Sequence, residues 1–301
     1  MLNLLLDSKN HNPWSRQFED NLMDGFKMLN YPYKTISIDC LYKKSFTSKD
    51  WLFIMNYEDL EVVKELGIEA KLIMHSHGTS YNPYAYNVGT YEREQLKQVD
   101  LVTTLSMSHQ LLLKDKTNRA EYIGFPLQLE ILWNCYNKLH KEKKIVIGGR
   151  ISPDKQFYLA TYLLQPLLNK YKIVFSISAN DSREWVNFYD LTRFEELGFI
   201  FHYNTQEEFY QELGNAKFFF TCSLGDTICL SLVEAQACGC YLLYPNITNG
   251  YPVWRDYLSG GYEPFSQESI FKFIKEMPNY EVDYSLFDSK QVCERLIKLL
   301  Q

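Results

Sequence analysis

The chain has 301 residues, 46% hydrophobic and 23% charged. A single hydrophobic core stops growing at roughly 250–300 residues, so two domains are expected. The formal net charge of −6 argues against the broad basic footprint of a general nucleic-acid binder, and no run approaches the roughly 18 apolar residues of a membrane span.

In chain order, Leu2–Leu6 reads as a first strand; it is too short, and lacks the basic flank, for a signal peptide. The polar segment Asp7–Trp14 follows. Phe18, Leu22, Phe26 and Leu29 recur at the spacing of one helix face, predicting a helix over 15–29. Strands are predicted at 33–38, 51–55, 71–75 and 101–106, with helices at 58–66 and 91–98. Gly124-Phe125-Pro126 punctuates the chain. A helical run over 127–140 and the charged stretch Lys141–Lys144 then mark a boundary.

The second half restarts the rhythm. Strands are predicted at 144–149, 172–178, 199–203, 217–222 and 240–245. Helices are predicted at 155–170, 182–197, 205–214, 227–238, 266–276 and 289–300. Strand–helix alternation of this kind implies parallel sheets covered on both faces. The expected fold is α/β, with two doubly wound, Rossmann-like domains in tandem facing a central cleft. The first spans 1–140 and the second 141–285, with a helix over 286–301 returning toward the first. The seven cysteines show no paired spacing, which points to reduced thiols and a cytoplasmic location.

Three constellations carry chemistry. Gly148 and Gly149 end a strand and are followed by Arg150 and, after a turn through Pro153, by Lys155. Glycines at a strand end admit a close ligand backbone, and a helix start flanked by cations suits a pyrophosphate. Neither a phosphate-binding G-x-x-x-x-G-K-[ST] loop nor G-x-G-x-x-G is present. The second constellation is Ser223, Gly225 and Asp226 in a polar turn, followed by Glu234 in the apolar run Leu230–Cys238. Eight residues is a little over two helical turns, so Asp226 and Glu234 would share nearly one face. An unpartnered carboxylate in that run would be costly, which marks Glu234 as functional, whereas Asp226 could equally be a helix N-cap. The third is His75-Ser76-His77-Gly78 at a strand end, which delivers two histidines, two residues apart, to the carboxyl end of the strand, one of them expected at the cleft. No third ligand accompanies the two histidines, so no metal site is expected. A tyrosine-rich loop (79–86) follows, suited either to packing or to an acceptor.

The order G-G-R-x-S-P-x-K at 148–155, then S-x-x-D-x7-E-A-x-A-C-G at 223–239, resembles the retaining GT-B glycosyltransferases of the group 1 (GT4-type), glycogen-synthase-like class. The resemblance covers residues 144–276; the first domain matches by architecture alone. It implies transfer of a sugar from a nucleotide-sugar donor, a UDP- or GDP-sugar, with retention of anomeric configuration and without a metal or other cofactor. By that resemblance Arg150 and Lys155 hold the diphosphate, Glu234 the ribose and Asp226 the donor sugar. Gly148, Gly149, Ser223, Gly225, Thr227 and Ile228 line the donor, and His77, before Gly78, faces the sugar. The chain departs from the class in having Asp rather than Glu at 226. It also has Thr227-Ile228-Cys229 in place of Gly-Phe-Gly, and no glycine-rich loop after the first strand. The acceptor is left open among a glycan, a lipid-linked sugar reached by peripheral membrane contact, and a modified DNA base. A GT-B nucleotide-sugar epimerase and a non-catalytic nucleotide-sugar-binding protein are the alternative readings. A Ser/His/Asp hydrolase is unsupported, because G-x-S-x-G is absent.

Overall fold

The computed structural model describes residues 1–6, 13–76, 94–105, 107–114, 116–137, 141–149, 155–178, 191–223, 229–246, 260–278 and 282–301. The chain divides into two compact units. One comprises Met1–Gln128 with Asp283–Gln301, the other Leu129–Val282.

The first unit contains β1 (Leu2–Leu6), α1 (Pro13–Met28), β2 (Tyr33–Ser37), β3 (Trp51–Ile54), α2 (Tyr57–Glu65) and β4 (Lys71–Ser76). These are followed by β5 (Leu101–Thr104), α3 (Met107–Leu113) and β6 (Ala120–Tyr122). Its sheet runs β2-β1-β3-β4-β5-β6 and is parallel throughout. The strands are apolar in unbroken runs because both faces are covered; Leu52, Ile54, Ile73, Met74, Leu101 and Val102 are all buried. Phe18, Leu22 and Phe26 form the buried stripe of α1.

The C-terminal helix Ser289–Leu300, labelled α10 below, belongs to this unit. Its Ser289 hydroxyl donates to the Leu127 carbonyl at 2.9 Å, its Cys293 thiol to Leu22 at 3.2 Å and its Arg295 Nε to Ile123 at 2.7 Å. Gly25 is what lets α1 approach: a Cβ there would lie 2.4 Å from the Ser289 carbonyl oxygen and 2.5 Å from the Cys293 sulfur.

The second unit contains α4 (Leu129–Asn134), β7 (Glu142–Gly148), α5 (Phe157–Leu164), β8 (Lys172–Ser178), α6 (Leu191–Glu196) and β9 (Ile200–Asn204). It continues through α7 (Gln206–Asn215), β10 (Ala216–Phe220), α8 (Leu230–Ala237), β11 (Tyr241–Leu243) and α9 (Gln267–Glu276). Its parallel sheet runs β11-β10-β7-β8-β9. Ile145, Ile173, Phe175, Phe218 and Phe220 are buried against α5 and α9 in its core. Two α/β layers built on parallel sheets are therefore the architecture expected from sequence.

The details differ at three places. The segment 107–122, for which no element is expected from sequence, holds α3 and β6. The predicted helix over 127–140 is the short α4, and it groups with the second unit, where the Cys238 thiol donates to the Leu132 carbonyl. The predicted helix over 155–170 ends at Leu164 and passes into a 3₁₀ turn at Gln165–Leu167. Pro166 supplies no N–H to continue the ladder. No helix among the described residues is long and apolar enough to cross a membrane.

Candidate active site at the switch point of the second sheet

In the second unit the chain enters the sheet at β7, winds outward to β8 and β9, then crosses back to β10 and β11. The order reverses between β7 and β10. In doubly wound folds ligands bind outside the carboxyl ends of the strands at such a reversal. The carboxyl end of β7 carries Gly148 and Gly149, and that of β10 leads into Thr221, Cys222 and Ser223.

The backbone here is shaped for close approach. Gly148 lies under the Phe209 ring of α7, so a Cβ at 148 would sit 2.7 Å from that ring. Gly149 has φ +113°, a conformation glycine adopts without strain, and its N–H donates to the Ser176 carbonyl at 3.3 Å. A recess of about 20 Å³, room for a single water, is lined by Gly148, Gly149, Lys155, Ser176, Thr221 and Cys222 among others. Lys155 is half-buried at its edge. The next residue, Gln156, has φ +54°, in the left-handed region, where a non-glycine residue is uncommon and strained. The turn is pinned by the Cys222 thiol, which donates to the Gln156 carbonyl at 3.3 Å and reaches the Lys155 carbonyl at 3.5 Å. Burial pushes that thiol up to about 12, so it stays protonated and keeps donating.

On the β10 side, Ser223 is fully buried and its N–H donates to the Thr221 hydroxyl at 3.2 Å. The Thr221 carbonyl accepts from Tyr262 at 2.8 Å, and the Tyr262 ring stacks on Phe220. Glu234 lies in α8 and is only 6% exposed. Its Oε1 accepts a 2.8 Å hydrogen bond from the Tyr210 hydroxyl, and that hydroxyl accepts from Gln206 Nε2 at 2.6 Å. Both donors stand on α7.

A second carboxylate, Glu212 on α7, is also buried. It accepts from His202 at 3.0 Å and from Asn204 at 2.8 Å, and pairs with Lys144 at 3.7 Å. Asn204 also donates to the Ser176 hydroxyl at 2.8 Å. α7 thus fixes the floor of the β7 end through Phe209, the Glu234 carboxylate through Tyr210, and the β8–β9 edge through Glu212.

Of the residues expected from sequence, Gly148, Gly149, Lys155 and Ser223 stand together at the switch point, and Glu234 lies in the helix entered after it. Arg150, Gly225, Asp226, Thr227, Ile228 and His77 lie outside the described residues, as do the loops 7–12, 79–86 and 247–259. His75 is packed into the first unit: its ring lies 4.3 Å from that of Phe18, and Nδ1 meets the Thr103 hydroxyl at 2.9 Å. Beside it, Ser76 and His109 form a buried pair at 3.3 Å. Sequence reasoning missed Phe209, Tyr210, Gln206 and His109. The signal available for the first three was only an amphipathic helix, whose polar partners are set by tertiary contacts.

No family model and no curated protein sequence matches the chain. Solved structures do match it in fold. HepE of Anabaena in complex with UDP-glucose superposes with a TM-score of 0.73 over 99% of this chain and 98% of that one, at 11% identity. Sucrose-phosphate synthase from Thermosynechococcus elongatus gives a TM-score of 0.69 over 100% and 94%, at 11% identity. TarM gives 0.64 over 88% of this chain and 55% of that one, at 15% identity. At such identities the likeness is one of fold. Two parallel sheets, a reversal of strand order in each, and near-complete coverage of HepE together establish that the chain has the two-domain GT-B fold.

Proposed function

We propose that the protein is a glycosyltransferase that takes a sugar from a nucleotide-sugar donor bound in the second unit. The observation that carries this is the convergence of Gly148, Gly149, Lys155 and Ser223 at the β7–β10 reversal, with the buried Glu234 in the next helix. HepE has been solved with UDP and glucose as well as with UDP-glucose, which supports a UDP-sugar as the first donor to test.

In this reading Gly149, with open space where a Cβ would stand, lets the diphosphate approach the strand end, Gly148 beneath it makes room for the Phe209 ring, and Lys155 with Arg150 balances the charge. Glu234 accepts the ribose hydroxyls and Asp226 the sugar hydroxyls, while His77 faces the sugar. Basic side chains take the part of a metal in holding the diphosphate, so activity is expected to survive EDTA. The reaction retains the anomeric configuration, and the protein works in the cytoplasm on a glycan or lipid-linked acceptor.

The experiment is a thermal-shift screen of nucleotide sugars. A donor at 100 times its Kd adds about 2.7 kcal/mol of stability. Stabilisation by one nucleotide sugar, followed by transfer to an acceptor, is the expected result. No shift with any nucleotide sugar would overturn the proposal.

A further inference from the structure

We infer that Tyr210 is a positioning residue that sets the orientation of Glu234 and thereby the preference of the site for a ribonucleotide. The inference rests on the donor-site reading above and deepens it. Tyr210 is 7% exposed and Glu234 6%, so their 2.8 Å hydrogen bond is shielded from competing water. The direction of the bond is fixed from behind: the Tyr210 oxygen accepts from Gln206 at 2.6 Å, which turns its own proton toward the carboxylate.

Burial and the adjacent Glu234 carboxylate raise the pKa of the phenol well above its ordinary value, so it remains a donor at any working pH. A donor held on one carboxylate oxygen restricts the orientation of the Glu234 carboxylate. A carboxylate accepts several hydrogen bonds, so this one orients the group without saturating it. Two vicinal hydroxyls need a carboxylate of defined plane, and α7 supplies that definition to a residue of α8. Phe209, adjacent in sequence to Tyr210, packs over Gly148, so the same helix turn registers the carboxylate against the diphosphate strand end.

The test measures the affinities of UDP and GDP and of their 2′-deoxy forms for the wild type, Tyr210→Phe, Glu234→Ala and the double variant. Loss of one bond to a charged group corresponds to roughly a tenfold or greater change. Tyr210→Phe is expected to lose about that factor for the ribonucleotide and almost none for the deoxynucleotide. In the Glu234→Ala background the same change is expected to have no effect. Gln206→Leu, which keeps the tyrosine in place, is expected to act in the same direction more weakly, and it serves if Tyr210→Phe fails to fold.

A Tyr210→Phe protein with the wild-type ratio of ribo- to deoxynucleotide affinity would overturn the positioning role alone. So would a ratio that stays at the wild-type value in Gln206→Leu, should that be the variant used. A wild type that binds neither nucleotide, or whose ratio survives Glu234→Ala, would overturn the ribose assignment and this inference with it.

Discussion

At the scale of single residues, the site rests on groups whose protonation is set by burial. Glu234→Ala removes charge-assisted hydrogen bonds from the proposed ribose contact. It is expected to weaken UDP or GDP binding by about a hundredfold, roughly 3 kcal/mol, as read by calorimetric titration. Lys155→Ala is expected to lower kcat as well as affinity, because the departing diphosphate gains charge in the transition state; a change confined to KM would remove Lys155 from that role. His109 gives a separate, pH-dependent prediction. Burial lowers its imidazole from 6.5 to about 4, so the folded protein keeps it neutral while the unfolded chain protonates it below about pH 6.5. Between pH 6.5 and 4 the unfolded chain therefore binds more protons, and stability falls as pH falls, by about 3 kcal/mol in all. Thermal melts of His109→Gln across that range are expected to show a shallower decline than the parent. Parallel declines would mean that His109 does not supply the difference.

At the scale of elements, strands were more legible than helix lengths. β1, β3, β4 and β8 stand within a residue of their expected positions because a strand buried on both faces leaves an unbroken apolar run bounded by turn residues. β6, at only Ala120–Tyr122, was hidden because three residues carry no period. Pro166 shortened α5, and that too was written in the sequence. The glycines of the site were legible as a strand end and α7 as a helix, but the contact between them was not, because a Phe209 ring over Gly148 depends on how α7 lies across β7. Close approach between helices is equally invisible in sequence. At the α1–α10 crossing, Gly25→Ala would drive a Cβ into the Ser289 carbonyl and the Cys293 sulfur. Both partners are buried, and one is backbone. Overpacking of this kind costs about 1–3 kcal/mol, so the variant is expected to melt several degrees lower while nucleotide affinity, proposed for the second unit, is unchanged. An unaltered melting temperature would mean that the crossing has slack.

At the scale of the whole molecule, nucleotide binding is proposed at the sheet reversal of the second unit, and the stereochemical course follows from chemistry. Inversion needs a general base behind the anomeric carbon, and double displacement needs a carboxylate nucleophile beside it. Asp226 is assigned to the sugar hydroxyls, and His77, the proposed sugar-facing residue of the first unit, is a poor glycosyl nucleophile. Same-face attack requires neither group. The bond from C1 to the phosphate oxygen breaks, the acceptor oxygen bonds to C1 on that same side, and the acceptor proton passes to the departing phosphate oxygen. In the proposed site Lys155 and Arg150 would stabilise the charge that develops there, a contribution made in the transition state more than in the ground state. An α-linked donor is then expected to give an α-linked product, read from the anomeric coupling in the NMR spectrum. His77→Ala is expected to slow transfer while leaving nucleotide affinity nearly intact, because its proposed contact is with the sugar alone. A β linkage from an α donor would overturn this course. The search for a base would then move to the polar segment after β1, where Asp7 and His11 are the available candidates.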